Sequence, residues 1–261
     1  MKKNLKIIMA HPTVHKIDGL LCHWDLSKED PFTSNGQFAY TLKAGHGDVD
    51  LVQEDDSLLK SALINEGQYL YIPRKDCKGL NISGKQAQVA ILAWVKRAPK
   101  SYVQCEAIAG MWNETEKKRQ YCLFLNLALF DSADQVCGHI SGVGGPTPGN
   151  KWCVDASIGK NPVEYKQWCH VAFTYDGKQI VSFLNGNADL REGHNPYPYD
   201  QGIFDAGDDG SDFTVGAVHR LGEMGNFFVG QIAELSVFNR ALSEEEIHAA
   251  FQDRASLYFN K

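Results

Sequence analysis

Residues 162–192 read PVEYKQWCHVAFTYDGKQIVSFLNGNADLRE. Within them, Val171 to Tyr175 ends at Asp176-Gly177, and Ile180 to Leu184 ends at Asn185-Gly186. Both apolar runs are short and rich in β-branched and aromatic residues, and each closes on a dipeptide able to supply the positive φ of a tight turn. The pattern predicts strand, hairpin turn, strand, turn and a further strand. Such a pair cannot stand alone in water, so its apolar face requires a second sheet.

Working outward, Val89 to Lys96 is apolar on both parities until its last residue, the pattern of a central strand covered on both faces. Ala107 to Trp112 and Gln120 to Phe130 predict a hairpin joined by the polar residues 113–118. Gly19 to Leu26 is the first firm strand; Gly36 to Leu42, Ala62 to Asn65, Gln68 to Ile72, Phe213 to Val218 and Phe227 to Phe238 are further strand segments. Residues 53–60 are ambiguous, and 142–150 form an extended loop. Residues 193–212 are the longest stretch without secondary structure, and such a loop is usually functional or mobile. Ser243 and Glu246 form a capping box for a short helix starting at Glu244, with Ile247, Ala250 and Phe251 as its apolar stripe. The reading is all-β: a two-sheet antiparallel sandwich with a C-terminal helix, preceded by an N-terminal arm over 1–17, with one domain over 18–261.

The 261 residues carry 26 basic and 32 acidic side chains, a net charge of −6, which argues against nucleic-acid or anionic-membrane binding as a general property but leaves room for a local basic cleft. No run of about 18 apolar residues offers a transmembrane helix. Leu5 to Ala10, broken by Lys6, is short for the core of a secretory signal, so an unprocessed or truncated N-terminus is expected. The seven cysteines, an odd number, lack zinc-site spacing; a reduced, mostly buried set is expected. Cys105 with Cys122, and Cys137 with Cys153, are the pairs available in an oxidising compartment.

Several pieces converge on a known pattern. Ala93-Trp94-Val95-Lys96, Trp168 to Gly177, Phe183-Leu184-Asn185-Gly186, Phe213-Thr214-Val215-Gly216 and Gly230 to Ser243 follow one another in order. This series resembles the laminin-G-like, concanavalin A-like lectin/glucanase jelly-roll superfamily over about residues 18–252. The resemblance implies a jelly roll but no single activity, because relatives include lectins, accessory modules of secreted enzymes, glycoside hydrolases, polysaccharide lyases and protein-binding modules. It departs at Ala233, where members usually carry Asp after Gly-x-Ile. It also implies a secreted or cell-surface location, while the N-terminus and the odd cysteine count leave the cytoplasm open.

Many relatives bind calcium, which needs several converging oxygen ligands. Asp18, Asp48 with Asp50, Asp55 with Asp56, and Asp205 with Asp208, Asp209 and Asp212 are the candidate acidic positions, for a structural Ca2+ with no catalytic role; each cluster taken singly suits a solvated loop slightly better. No organic cofactor is expected. For sugar binding, Trp24, Trp112, Trp152, Tyr197 and Tyr199 offer flat apolar surfaces, while Trp94 and Trp168 read as core. For catalysis, the Glu-x-Asp-x-x-Glu spacing of laminarinase-type hydrolases is not found, and Glu244 to Glu246 are explained by helix capping. A lyase needs a cation for a uronate and a His or Tyr to move a proton, for which His23, Arg119, Tyr121, His139 and His170 are the candidates. Each histidine taken alone reads more readily as structural. No nucleophile elbow and no phosphate loop occur. Glycan binding through the concave face and the loops at 142–152 and 193–212 ranks first, a lyase acting on an acidic glycan second, and a protein-binding module third.

Overall fold

The computed structural model of the protein describes residues 13–53 and 59–259. In chain order the strands are β1 (Leu20–Asp25), β2 (Lys43–Ala44), β3 (Asp50–Gln53), β4 (Lys60–Ile64), β5 (Leu70–Ile72), β6 (Val89–Arg97), β7 (Glu106–Asn113), β8 (Lys118–Leu125) and β9 (Gln135–Ile140). They continue as β10 (Ala156–Pro162), β11 (Trp168–Tyr175), β12 (Gln179–Leu184), β13 (Asn187–Ala188), β14 (Tyr197–Pro198), β15 (Phe213–Val215), β16 (Val218–Arg220), β17 (Glu223–Gly225) and β18 (Gly230–Phe238). One helix, α1 (Glu244–Phe259), follows. Of the expected N-terminal arm, the described part holds a 3-10 turn at Val14–Lys16; the rest lies outside the described residues.

The hairpin at the centre of the sequence forms as its residues require. β11 and β12 pair antiparallel from Val171–Leu184 to Tyr175–Ile180, and Asp176 Oδ1 accepts the amides of Lys178 and Gln179 across the turn. Asn185 and Gly186 take φ of 49° and 78°, the pair of positive values that a two-residue hairpin needs, and β13 returns from them against β12. The first sheet runs β13-β12-β11-β6-β18-β4-β3. β1 and β4 share the free edge of β18, and β14 pairs with β12. The second sheet runs β10-β9-β8-β7-β15-β5-β2, with the β16–β17 hairpin beside β7.

Between the sheets lies the main core. β6 gives it Val89, Ile91, Ala93 and Val95; β11 gives Val171, Phe173 and Tyr175; β8 gives Tyr121, Leu123 and Leu125. Burying each such large apolar side chain contributes roughly 1.5–3 kcal/mol, so this layer dominates stability. The other parity of β6 places Trp94 outward, stacked 3.9 Å from Tyr258 of α1, with Phe251 and Trp168 alongside. The helix therefore closes the outer face of the first sheet. Its capping box is formed as expected: the Glu246 amide donates to Ser243 Oγ (3.2 Å) and the Ser243 amide to Glu246 Oε2 (2.9 Å).

Some segments differ from the sequence reading. Gly36 to Leu42 forms one isolated bridge, Thr41 to Thr33, rather than a strand. β8 stops at Leu125, because Asn126, Ala128, Phe130, Asp131 and Asp134 turn to positive φ between 52° and 65°. All seven cysteines are free, six of them buried.

Candidate functional site

The outer face of the second sheet has no helix over it among the described residues. There the alternation of β7, β8 and β9 turns Trp112, Cys122, Phe124, Cys137 and His139 away from the main core, forming a separate apolar floor with Ala156 and Ile158. Loops 126–134 and 142–154 rise on either side and leave a cleft of about 360 Å³. Leu127, Ala128 and Leu129 form one wall and Trp152 with Cys153 another; Gln104, Cys105, Arg220 and Asn226 close one end.

The polar groups of this cleft are arranged around Glu114. Its Oε1 accepts the Trp112 indole N–H (3.3 Å) and the Asn226 side-chain amide (3.2 Å). Its Oε2 faces two guanidinium groups, Arg119 Nη2 at 3.7 Å and Arg220 Nε at 3.8 Å. Arg119 is 5 % exposed, lies 5.9 Å from the Trp112 ring centroid and donates one long bond, 3.4 Å, to the Gly144 carbonyl. His139 is 4 % exposed and 4.5 Å from the Trp112 ring. Neither of its ring nitrogens has a hydrogen-bond partner. Burial, then the Arg119 charge, push its pKa down to about 3, with the Cys153 backbone opposing slightly, so the ring is a neutral imidazole. Trp152 is 41 % exposed, with Lys151 Nζ 4.8 Å from its ring.

The walls are held from behind. Thr147 Oγ1 donates to Asp155 (2.6 Å), the Gly142 amide donates to the Tyr199 hydroxyl (2.6 Å), and Arg191 donates to the Phe130 carbonyl (2.6 Å). Left-handed backbone at non-glycine residues costs roughly 1–2 kcal/mol each, so loop 126–134 holds its shape by such outside contacts. Among them is Arg97 Nη2, 2.7 Å from Asp134.

Trp112, Arg119, His139 and Trp152 thus come together, and the remaining expected site residues do not join them. Trp24 is buried and stacked 5.7 Å from Phe213 in the main core, so no ligand can stack on it. Tyr121 is fully buried and donates its hydroxyl to the Leu80 carbonyl (2.6 Å), which raises its pKa further out of a base's range through burial. Tyr197 and Tyr199 pack inward: Tyr197 donates to Asp155 (3.4 Å) and Tyr199 belongs to the core, so loop 193–212 presents neither ring as a rim.

His23 and His170 lie on the first sheet, opposite His139. His23 Nδ1 is 2.8 Å from Ser236 Oγ and its ring meets His15 at 4.6 Å. His170 lies beneath α1 between Trp94 and Phe251, its pKa pushed by burial to about 3. The three candidate histidines therefore serve separate layers.

Among the described residues, no group of three or more His, Cys, Asp or Glu side chains is placed to share a metal ion. Asp18, Asp48, Asp50, Asp208 and Asp209 are exposed, and Asp212 in the same loop is engaged by the Arg74 amide (2.8 Å). Asp55 and Asp56 lie outside the described residues. Glu114 and Arg220 had not been singled out. Period-two alternation past Trp112 puts Glu114 on the same face, a usable signal; nothing local to Arg220 marks it.

A family model described as the concanavalin A-like lectin/glucanases superfamily matches residues 65–248. No curated protein matches the chain. Among solved structures, domain 4 of AbnA, a GH43 extracellular arabinanase from Geobacillus stearothermophilus, in complex with arabinotriose, superposes with a TM-score of 0.57 at 18 % identity, over 89 % of this chain and 98 % of that one. The CBM40 of the Ruminococcus gnavus IT-sialidase, bound to alpha2,3 sialyllactose, gives 0.53 at 18 % identity, over 73 % and 96 %. The binding domain of botulinum neurotoxin DC, in complex with rat synaptotagmin II, gives 0.60 at 10 % identity, over 93 % of this chain but 52 % of that one. At these identities the likeness is one of fold.

Proposed function

We propose that this chain, which belongs to the concanavalin A-like lectin/glucanases superfamily, binds glycan in the cleft on the outer face of its second sheet. One observation carries the reading. An exposed indole, Trp152, stands at the mouth of a cleft lined by the polar side chains of Gln104, Arg119 and Arg220. Flat aromatic surface beside convergent polar groups is what a sugar ring presents its faces and hydroxyls to. The arabinotriose and sialyllactose complexes of two similar folds support the same reading.

The cleft favours binding over bond cleavage. Glu114 is the one carboxylate among its lining residues, and two arginines already face it, whereas glycosidases use a pair of carboxylates. A base with a pKa about 3 is far from the range in which proton abstraction is efficient near neutrality.

The test is retention of the purified protein on a panel of immobilised neutral and acidic polysaccharides, alongside Trp152→Ala. Retention on at least one glycan, reduced at least tenfold by the substitution, is expected. No retention on any glycan, or retention indifferent to Trp152→Ala, would overturn the reading. Shortened saccharide products would replace it with a catalytic one.

A further inference from the structure

We infer that the cleft selects an anionic saccharide, whose carboxylate or sulfate group sits between Arg119 and Arg220; this rests on the glycan-binding reading above. The cleft carries two guanidinium groups against one carboxylate, with Lys151 adding positive charge at the rim, in a chain whose net charge is −6. This is the local basic cleft that an acidic chain can hold.

Glu114 does not use up the two arginines. The separations of 3.7 and 3.8 Å exceed those of N–H···O hydrogen bonds. Its Oε1 is engaged instead by Trp112 and Asn226, neutral donors that fix the carboxylate in place. The hydrogen bond found for the Arg119 guanidinium is the 3.4 Å one to Gly144. Glu114 therefore orients the two cations while leaving their donor forks open, and planar forks match carboxylate and sulfate oxygens in bidentate fashion.

Oligouronates, sialyl-oligosaccharides and sulfated galactan oligosaccharides, each beside its carboxyl-reduced, asialo or desulfated counterpart, form the probe set for titration calorimetry. Binding of an anionic member at least tenfold tighter than its neutral counterpart is expected, weakening as NaCl is raised, because such a contact is screened. Which of the three series binds identifies the anion.

Arg119 is buried enough for Arg119→Gln to disturb folding, so the deciding variant is Arg220→Gln, at a half-exposed position, with Arg220→Lys keeping the charge. Arg220→Gln should bring the anionic-to-neutral ratio towards one, and Arg220→Lys should retain part of it. Equal binding of charged and neutral members, or a ratio unmoved by Arg220→Gln, would overturn this inference and leave glycan binding standing. Binding of no member would likewise overturn this inference, and retention on the polysaccharide panel decides the glycan-binding reading separately.

Discussion

Arg97 of β6 and Glu106 of β7 clasp each other across the two sheets: Nε donates to Oε2 and Nη2 to Oε1, both at 2.8 Å, with both side chains buried. Arg97 also donates to the Val163 carbonyl (3.1 Å), and Lys100 Nζ lies 3.6 Å from Glu106. The clasp is one residue along the chain from Cys105, which lines the cleft.

Removing Glu106 leaves the buried Lys100 ammonium without its carboxylate and Arg97 with Asp134 alone. Glu106→Leu should therefore destabilise the fold by about 3–5 kcal/mol, and the double variant Arg97→Met/Glu106→Leu should recover only part of that loss, because Asp134 then loses Arg97. Urea denaturation of the three proteins checks this. A loss below about 1 kcal/mol in the single variant would mean that the clasp is not fully desolvated.

The buried imidazoles set an acid limit. His139 and His170 have folded pKa values near 3, below the ordinary histidine value of 6.5. Between those values the unfolded chain binds more protons than the folded one. Their neutral burial is therefore fully compatible with the fold above pH about 6.5, and stability falls as pH drops towards 3, by on the order of a few kcal/mol per histidine. The denaturation midpoint should decline between pH 7 and 4, and His170→Phe, which keeps an aromatic ring beneath α1, should flatten that decline. An unchanged slope in the variant would place the acid sensitivity elsewhere.

The Ser243 cap fixes the start of α1, and Tyr258 ties its end to the first sheet. Ser243→Ala removes the cap and should cost about 1 kcal/mol. Tyr258→Phe removes the 2.7 Å hydrogen bond to the buried Glu234 carboxylate, leaving Arg254 (2.6 Å) to hold it. The loss should be about 1–3 kcal/mol. Thermal melts read both, and a Tyr258→Phe protein as stable as the parent would show that Arg254 alone suffices.

Trp152 is a surface side chain, so Trp152→Ala should leave stability within about 0.5 kcal/mol. Glycan binding should nonetheless fall at least tenfold, about 1.4 kcal/mol. Parallel loss of stability would instead make Trp152 a structural part of loop 142–154.

The fold was legible because its signals are local. The Asn185-Gly186 turn, the two-faced apolarity of β6 and the Ser243–Glu246 box each prescribe one geometry within a few residues. The cleft was legible only in part. Trp112, Arg119, His139 and Trp152 carry chemistry by residue type, but their convergence depends on register among β7, β8 and β9, which no local pattern encodes. The same gap grouped His23 and His170 with His139, although they face away on the opposite sheet. Tyr197 and Tyr199 misled because an aromatic in a proline-bounded loop looks alike whether it points out to a ligand or in to Asp155 and Gly142. Glu114 lay in what read as a polar turn, and only the continuation of alternation beyond Trp112 marked it.

The most direct test of the central claim is NMR mapping of a bound glycan, using any panel member that the protein retains. Resonances of the Trp152 and Trp112 indoles, the His139 imidazole and the Arg119 and Arg220 side chains should shift together on titration, with α1 and the first sheet unmoved. Shifts centred on loop 193–212 or on the α1 face, with the cleft silent, would contradict the assignment of the site.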